Sequence, residues 1–292
     1  LQPMTRIALA STLPALELDD DLPPLREALD RAGIGHETLV WDDVSVSWSR
    51  FDAVLIRSTW DYTQRLPEFL AWCAKVSAQT RLINPLEIVR WNTDKRYLGQ
   101  LAKKGLPVIE SFFIAPGERA DGFPAWPEFV VKPTVGAGSR DTQRYVAEER
   151  AQAVQHAQRL LDAGRHVLVQ PYLAQVDSAG ETALLFFGGK FSHAIRKGPL
   201  LKRGEGPTRA LFAAEHITAR EPSAQEMATA RQVLAALPVQ GLAYARVDLL
   251  PSAKGPQLLE LELTEPSLFF HTSADAADRF VATLREKLRE RA

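Results

Sequence analysis

The sequence predicts a mixed α/β and α+β architecture, a parallel N-terminal unit followed by layers with antiparallel sheet, and three observations carry that reading. Short apolar runs alternate with helix-patterned segments up to residue 84, as parallel strands joined by crossover helices do. Beyond Pro107 strand-like runs come in pairs, with hairpin signals such as Gly188-Gly189. With 292 residues, 46% of them hydrophobic, the chain is long enough for one large core or two to three smaller ones.

In order along the chain, residues 6–10 form an apolar run, followed by a helical pattern through Leu22, Leu25, Leu29 and Ala32 that stops at Gly33. Residues 36–41 and 53–56 read as the next strands, 69–76 as a helix and 81–84 as a fourth strand. After the Asn84-Pro85 turn, residues 87–104 keep helical spacing through Ile88, Trp91, Leu98 and Leu101 until Gly105 and Pro107 end it. Further strands are expected at 108–114, 129–132, 167–170, 183–187, 190–195, 243–250 and 257–263, and helices at 148–163, 221–236 and 274–289. No internal repeat or low-complexity tract breaks this series.

Composition excludes several classes of function. Lys and Arg total 35 against 36 Asp and Glu, so the overall field does not favour nucleic acid. Cys73 is the one cysteine, which rules out an intramolecular disulfide and suits a reducing cytoplasm. The histidines lack metal-ligand spacing, and no apolar run approaches the roughly 18 residues of a membrane-spanning helix. Residues 1–3 precede Met4 without the features of a signal peptide, and are expected to be extraneous to the natural chain.

Three clusters can carry chemistry. The strand Phe129-Val130-Val131-Lys132-Pro133 runs into a loop with Gly136, Gly138 and Asp141, an arrangement that can lay N–H groups and a lysine over phosphates. It is neither a Walker A loop nor a GxGxxG fingerprint, and an ordinary hairpin beside a solvated lysine accounts for it as well. Asp248 lies on one strand and Glu260 and Glu262 on the next, across a turn at 251–256. Strand alternation puts the two glutamates on one face, with Leu259, Leu261 and Leu263 on the other. Such carboxylates suit Mg²⁺ with substrate phosphates, while a solvent-facing polar strip is the alternative. The third cluster, Arg57-Ser58-Thr59-Trp60-Asp61-Tyr62, follows a parallel strand, where ligands are met. Arg57 can bind a substrate carboxylate there, with Ser58 and Asp61 as further substrate-binding candidates, and a helix cap by Ser58 or Thr59 with a packing tryptophan explains the stretch equally.

Taken in order, these elements resemble the ATP-grasp superfamily over about residues 84–267, in particular the branch of glutathione synthetase and the ribosomal-protein glutamate ligase. The resemblance implies units at 4–85 (preceding domain), 86–173 (lid and hinge) and 174–292 (metal and substrate), the last two clasping ATP. It implies ATP phosphate lysines at Lys95 and Lys132, a mobile loop with Gly136 and Gly138, an adenine hinge at Gln170, Tyr172 and Leu173, and Glu181 on the ribose. Lys197 falls where relatives carry an arginine near the γ-phosphate, and Arg209 resembles a substrate-loop arginine able to clamp a carboxylate or acyl phosphate. Asp248, Glu260 and Glu262 match the positions that hold Mg²⁺, or Mn²⁺, in the family. Two departures stand out: Ala183 replaces a usual arginine, and Glu262 a usual asparagine.

The activity so implied is a carboxylate–amine ligase, forming an acyl phosphate from a small amino acid or peptide and passing it to an amine. Arg246, on the face of Asp248, is a candidate to hold the transferred phosphate, with a structural ion pair as the alternative. The Arg57–Tyr62 stretch is similar to one in members related to the ligase that closes the ring of cycloserine, which implies a small amino-acid substrate. An intramolecular cyclo-ligase and a non-catalytic ATP-binding regulator remain the rival readings. Partners are then small molecules rather than nucleic acid or membrane, with homodimers common among such relatives.

Overall fold

The computed structural model describes residues 5–199, 201–204 and 216–290. Its first sheet is parallel, in the order β2-β1-β3-β4, from β1 (Arg6–Ser11), β2 (Gly35–Val40), β3 (Ala53–Ser58) and β4 (Arg81–Ile83). Helices α1 (Leu22–Arg31) and α2 (Leu66–Gln79) supply the crossovers. Leu22, Leu25 and Leu29 bury one stripe of α1, and Phe69, Trp72, Cys73 and Val76 one stripe of α2, as a 3.6-residue period demands.

The continuous helix expected at 87–104 is instead two, α3 (Leu86–Asn92) and α4 (Tyr97–Lys103). At the break, the Lys95 N–H donates to the Thr134 carbonyl at 2.8 Å. A tertiary partner thus replaces the helical ladder, a choice that local periodicity does not reveal.

A second sheet has the order β5-β8-β6-β7, from β5 (Phe112–Ile114), β6 (Glu128–Pro133), β7 (Gln143–Val146) and β8 (Val167–Pro171). Only 112–114 of the expected strand at 108–114 joins this sheet, while Val108 bridges to Leu258. β7 had no counterpart in the sequence reading. Helix α5 (Arg150–Asp162) covers one face through Ala153, Ala157, Leu160 and Leu161, which pack on Phe129 and Val131.

After the short α6 (Val176–Ala179) comes the third sheet, β11-β10-β9-β12-β13, antiparallel throughout. It comprises β9 (Glu181–Phe187), β10 (Lys190–Lys197), β11 (Ile217–Ala219), β12 (Tyr244–Leu250) and β13 (Gln257–Glu262), with α7 (Ala224–Ala235) between β11 and β12 and α8 (Ala276–Arg289) closing the chain. The β9–β10 hairpin turns at Gly188 and Gly189, whose φ values of 57° and 78° lie in the left-handed region that glycine tolerates.

β13 is an edge strand: the main chain of residues 107–109 pairs with Leu258 near its start, and side chains cover its outer rim further along. Asn92 donates to the Leu261 carbonyl and accepts from the Leu263 N–H, each at 2.9 Å. The Tyr97 hydroxyl donates to the same carbonyl at 3.0 Å and accepts from the Leu261 N–H at 2.8 Å. An exposed edge is thereby blocked, and the strand carrying Glu260 and Glu262 is fixed to the helix pair. At β4, Asn84 plays a similar part, donating to the Tyr244 and Leu263 carbonyls and accepting from the Ala243 N–H.

Candidate functional site

A cavity opens between the second and third sheets, reached by Lys132 and the loop 136–140 from one side and by Glu181, Lys197, Asp248, Glu260 and Glu262 from the other. Strand alternation sets this up: on β6, Phe129 and Val131 enter the α5 core while Val130 and Lys132 face the cavity. The expected hinge residues Gln170, Tyr172 and Leu173 line it too, beside Ile109, Val176 and Leu250. That apolar slot can take a planar base. The side chains of Gln170 and Tyr172 are themselves anchored, to Ser111 and to Asp177 respectively, and the Arg144 guanidinium lies 3.5 Å from the centre of the Tyr172 ring.

The helix break carries Lys95 into the site, where its ammonium lies 2.9 Å from the Gly136 carbonyl and 2.8 Å from Glu260. Burial disfavours this charge, yet Glu260 outweighs it and raises the pKa. Lys132 has no hydrogen-bonded acceptor among the described residues. Burial first, and then the Lys95 charge, push it down to about 8 against the pull of Glu260. A buried ammonium so placed gains most from an incoming anion.

On the opposite wall, Asp248 accepts from Arg246 Nε and Nη2 and from Lys197, all at 2.9 Å. Lys197 also reaches Glu181 at 2.9 Å, and Arg246 reaches Glu262 at 2.6 Å. Burial works against the Asp248 charge, but Arg246 and Lys197 hold its pKa down. Burial also opposes Glu260, which Lys95 and Lys132 hold down. Glu181 and Glu262 are raised, by burial and then, against Lys197 and Arg246, by neighbouring carboxylates. Ala183 stands directly across from Asp248 on β9, and the guanidinium beside Asp248 comes from Arg246 on its own strand.

One expectation is corrected on this wall. Asp248 pairs with Glu260 but Leu249 pairs with Leu258, so β13 carries a bulge at Leu259. The extra residue breaks the alternation: Leu259 lines the cavity with Glu260 and Glu262, leaving Leu258, Leu261 and Leu263 in the core. Asp248, Glu260 and Glu262 converge on the cavity, yet among the described residues they do not close into a ready-made metal cluster. Each is drawn instead to a base. The donor set still fits a hard divalent ion, since it consists of carboxylate oxygens facing one cavity.

The segment expected to meet the substrate is also reordered. Arg57 is fully buried, donates to the Pro266 carbonyl at 3.1 Å and lies 3.7 Å from Asp21. Ser58 bonds Ser11, and Asp61 accepts from Trp41 and Arg65. None of the three lines the cavity. The side chains of Arg57 and Ser58 turn into the packing around β3, where the sheet and the segment 265–270 close over them, while Asp61 stays partly exposed beside Arg65. Trp60, read as ligand or packing, is the member that reaches the cavity, and its indole N–H donates to the main-chain oxygen of Glu265 at 3.1 Å. Glu265 lines the cavity as well, its carboxyl pushed up to about 8 by burial and then by Glu262, with the Tyr62 hydroxyl beside it. Glu265 was not among the residues that the sequence singles out. Its signal was an acidic residue between Thr264 and Pro266 just past two site glutamates. His193 contacts the Leu268 carbonyl and, like His271, is not part of the lining. Arg209 lies outside the described residues.

Comparison with known proteins matches this arrangement to one group. Residues 7–84 match the family model of the N-terminal domain of the D-cycloserine synthetase DcsG. The chain is 44% identical to the cycloserine biosynthesis protein DcsG of Streptomyces lavendulae, over 97% of this chain and 99% of that protein. The crystal structure of D-cycloserine synthetase DcsG superposes with a TM-score of 0.90 at 43% identity, covering 97% of this chain and 100% of the other. A D-alanine–D-alanine ligase from Bacillus anthracis, complexed with ATP, shares the fold at a TM-score of 0.68 and 14% identity, with 97% of each chain covered.

Proposed function

The chain belongs to the ATP-grasp ligases related to D-cycloserine synthetase, ATP-dependent enzymes that form C–N bonds, and on that premise we propose that it closes the ring of cycloserine or a near analogue. In cycloserine the carboxyl carbon of a serine skeleton is bonded to a nitrogen carried on the side-chain oxygen. Making that bond needs an activated carboxylate and no separate amine acceptor. The observation that carries this reading is the 44% identity across nearly the whole length of both chains, which takes in the N-terminal unit that sends Trp60 into the cavity.

In the proposed reaction a substrate carboxylate oxygen attacks the γ-phosphorus of ATP, ADP leaves, and an acyl phosphate forms. The side-chain nitrogen then attacks the acyl carbon, loses a proton and expels phosphate. No nucleophile from the protein is needed. Lys95, Lys132 and Lys197 neutralise and position the phosphates, the loop with Gly136 and Gly138 covers them, and Glu181 holds the ribose. Arg246 steadies the transferred phosphoryl group. Asp248, Glu260 and Glu262 would hold Mg²⁺, or Mn²⁺ through the same oxygens, which supplies positive charge to the transferring phosphate. The units 4–85, 86–173 and 174–292 are the proposed working parts, and the cytoplasm, with its ATP, the proposed compartment.

The test is ADP release with the D and L forms of an aminooxy-substituted serine, with the product followed by mass spectrometry. Loss of one water from the substrate without any added amine is the expected result. ADP release only when a second amine is supplied would favour an intermolecular ligase.

A further inference from the structure

We propose that Glu265 is the subsite for the free, protonated α-amino group of the substrate, at the end of the cavity formed with Trp60. This deepens the function proposed above and rests on its amino-acid substrate.

Charge pairing around the cavity points to Glu265. Lys95 is taken by Glu260, Lys197 by Glu181 and Asp248, and Arg246 by Asp248 and Glu262. Among the described residues, Glu265 is the lining carboxylate without an ion pair. It is only 9% exposed, and an ionised carboxylate kept from water needs a cation. The Tyr62 hydroxyl does not supply a charge.

The setting is rigid. Trp60 grips the Glu265 main-chain oxygen and Arg57 grips the Pro266 carbonyl one residue on. Asp21 accepts the Leu268 and Phe270 N–H groups at 2.6 and 2.9 Å. The carboxylate is therefore aimed by contacts from the N-terminal unit rather than by a free loop. Trp60 lines the cavity beside Glu265, and an aromatic ring next to a carboxylate favours a compact cation. Arg246 donates to the Ser267 carbonyl, two residues beyond Glu265. A substrate held by its ammonium at Glu265 can thus point its carboxylate at Arg246 and the phosphate lysines. The amine of cycloserine remains free in the product, so its nitrogen must be held without reacting. A buried carboxylate achieves that by keeping the amine protonated.

The experiment is calorimetric binding to the full chain with Mg-ADP, using D-cycloserine, N-acetyl-D-cycloserine, and the D and L forms of the common amino acids. D-cycloserine is expected to bind the unmodified chain and to lose about 10- to 100-fold in Glu265→Gln. The N-acetyl compound should bind both chains equally poorly. Unchanged ADP affinity and melting temperature in Glu265→Gln show that the fold is intact, and Glu265→Asp should fall between the two. If Glu265→Gln binds D-cycloserine as tightly as the unmodified chain, the subsite is wrong while the ring-closing reading stands. If D-cycloserine does not bind but another free amino acid does, and loses affinity in Glu265→Gln, the ring-closing reading falls and the subsite stands. If no free amino acid binds, both fall.

Discussion

The indole N–H of Trp60 donates to the main-chain oxygen of Glu265 at 3.1 Å, joining the end of the parallel sheet to the segment that follows β13. Both residues line the cavity. The N-terminal unit is therefore part of the wall of the site rather than a distant appendage, and the consequences can be measured.

Replacing Trp60 by Phe keeps an aromatic ring but removes the N–H, leaving the Glu265 oxygen without this donor. The KM for the amino-acid substrate should rise about tenfold, the size of one lost hydrogen bond in a buried setting, with the KM for ATP unchanged. Steady-state ADP release with each substrate varied in turn gives the answer. Equal rises in both constants would mean that the bond supports the whole fold.

Glu260 holds Lys95 at 2.8 Å and belongs to the proposed metal wall. In Glu260→Gln, ADP release should fall by about two orders of magnitude or more. A chelator should silence the unmodified enzyme, and either Mg²⁺ or Mn²⁺ should restore it. Full activity in Glu260→Gln, under matched metal, would falsify the metal assignment.

Tyr97→Phe strips the Leu261 N–H and carbonyl of a shared partner. Asn92 still reaches the carbonyl, but the N–H has no replacement in this arrangement. A loss of about 1–3 kcal/mol is expected, read as a lower urea midpoint at constant slope.

His156 is buried between α5 and β7, with Nδ1 3.0 Å from the Tyr145 hydroxyl. Burial first, and the Arg159 charge second, lower its pKa from 6.5 to about 4. Between those values the unfolded chain binds a proton that the folded chain refuses. Its contribution is complete above about pH 6.5 and is lost as pH falls toward 4, by up to about 3 kcal/mol. Unfolding free energies of the unmodified protein and His156→Leu, compared at pH 7 and pH 4.5, should show a shallower pH slope in the variant. Parallel slopes would assign the acid sensitivity elsewhere.

Much of the fold was legible because strand and helix periods are local. The four parallel strands, the Gly188-Gly189 hairpin and the β12–β13 pair all stand near their expected places. What the sequence hid depends on partners distant in the chain. The helix break at Lys95 is made by Thr134, the bulge at Leu259 by pairing with β12, and the burial of Arg57 by Pro266. Lys132 could be singled out because it ends a strand at a conspicuous loop, whereas Lys95 and Lys197 stood out only through the family resemblance. Glu265 could not, because a carboxylate before a proline looks like any other turn until Trp60 and Tyr62 are brought beside it.

The side-chain cover on β13 also bears on how such chains can be recombined. Asn92 and Tyr97 bracket Lys95, and both hold the strand that bears Glu260 and Glu262. A crossover falling anywhere between residues 104 and 256 would inherit the lysine from one parent and its carboxylates from the other, with a mismatched clasp between them. Chimeras of related ligases should stay active only when the two helices and the strand travel together, so these distant stretches form one heritable block.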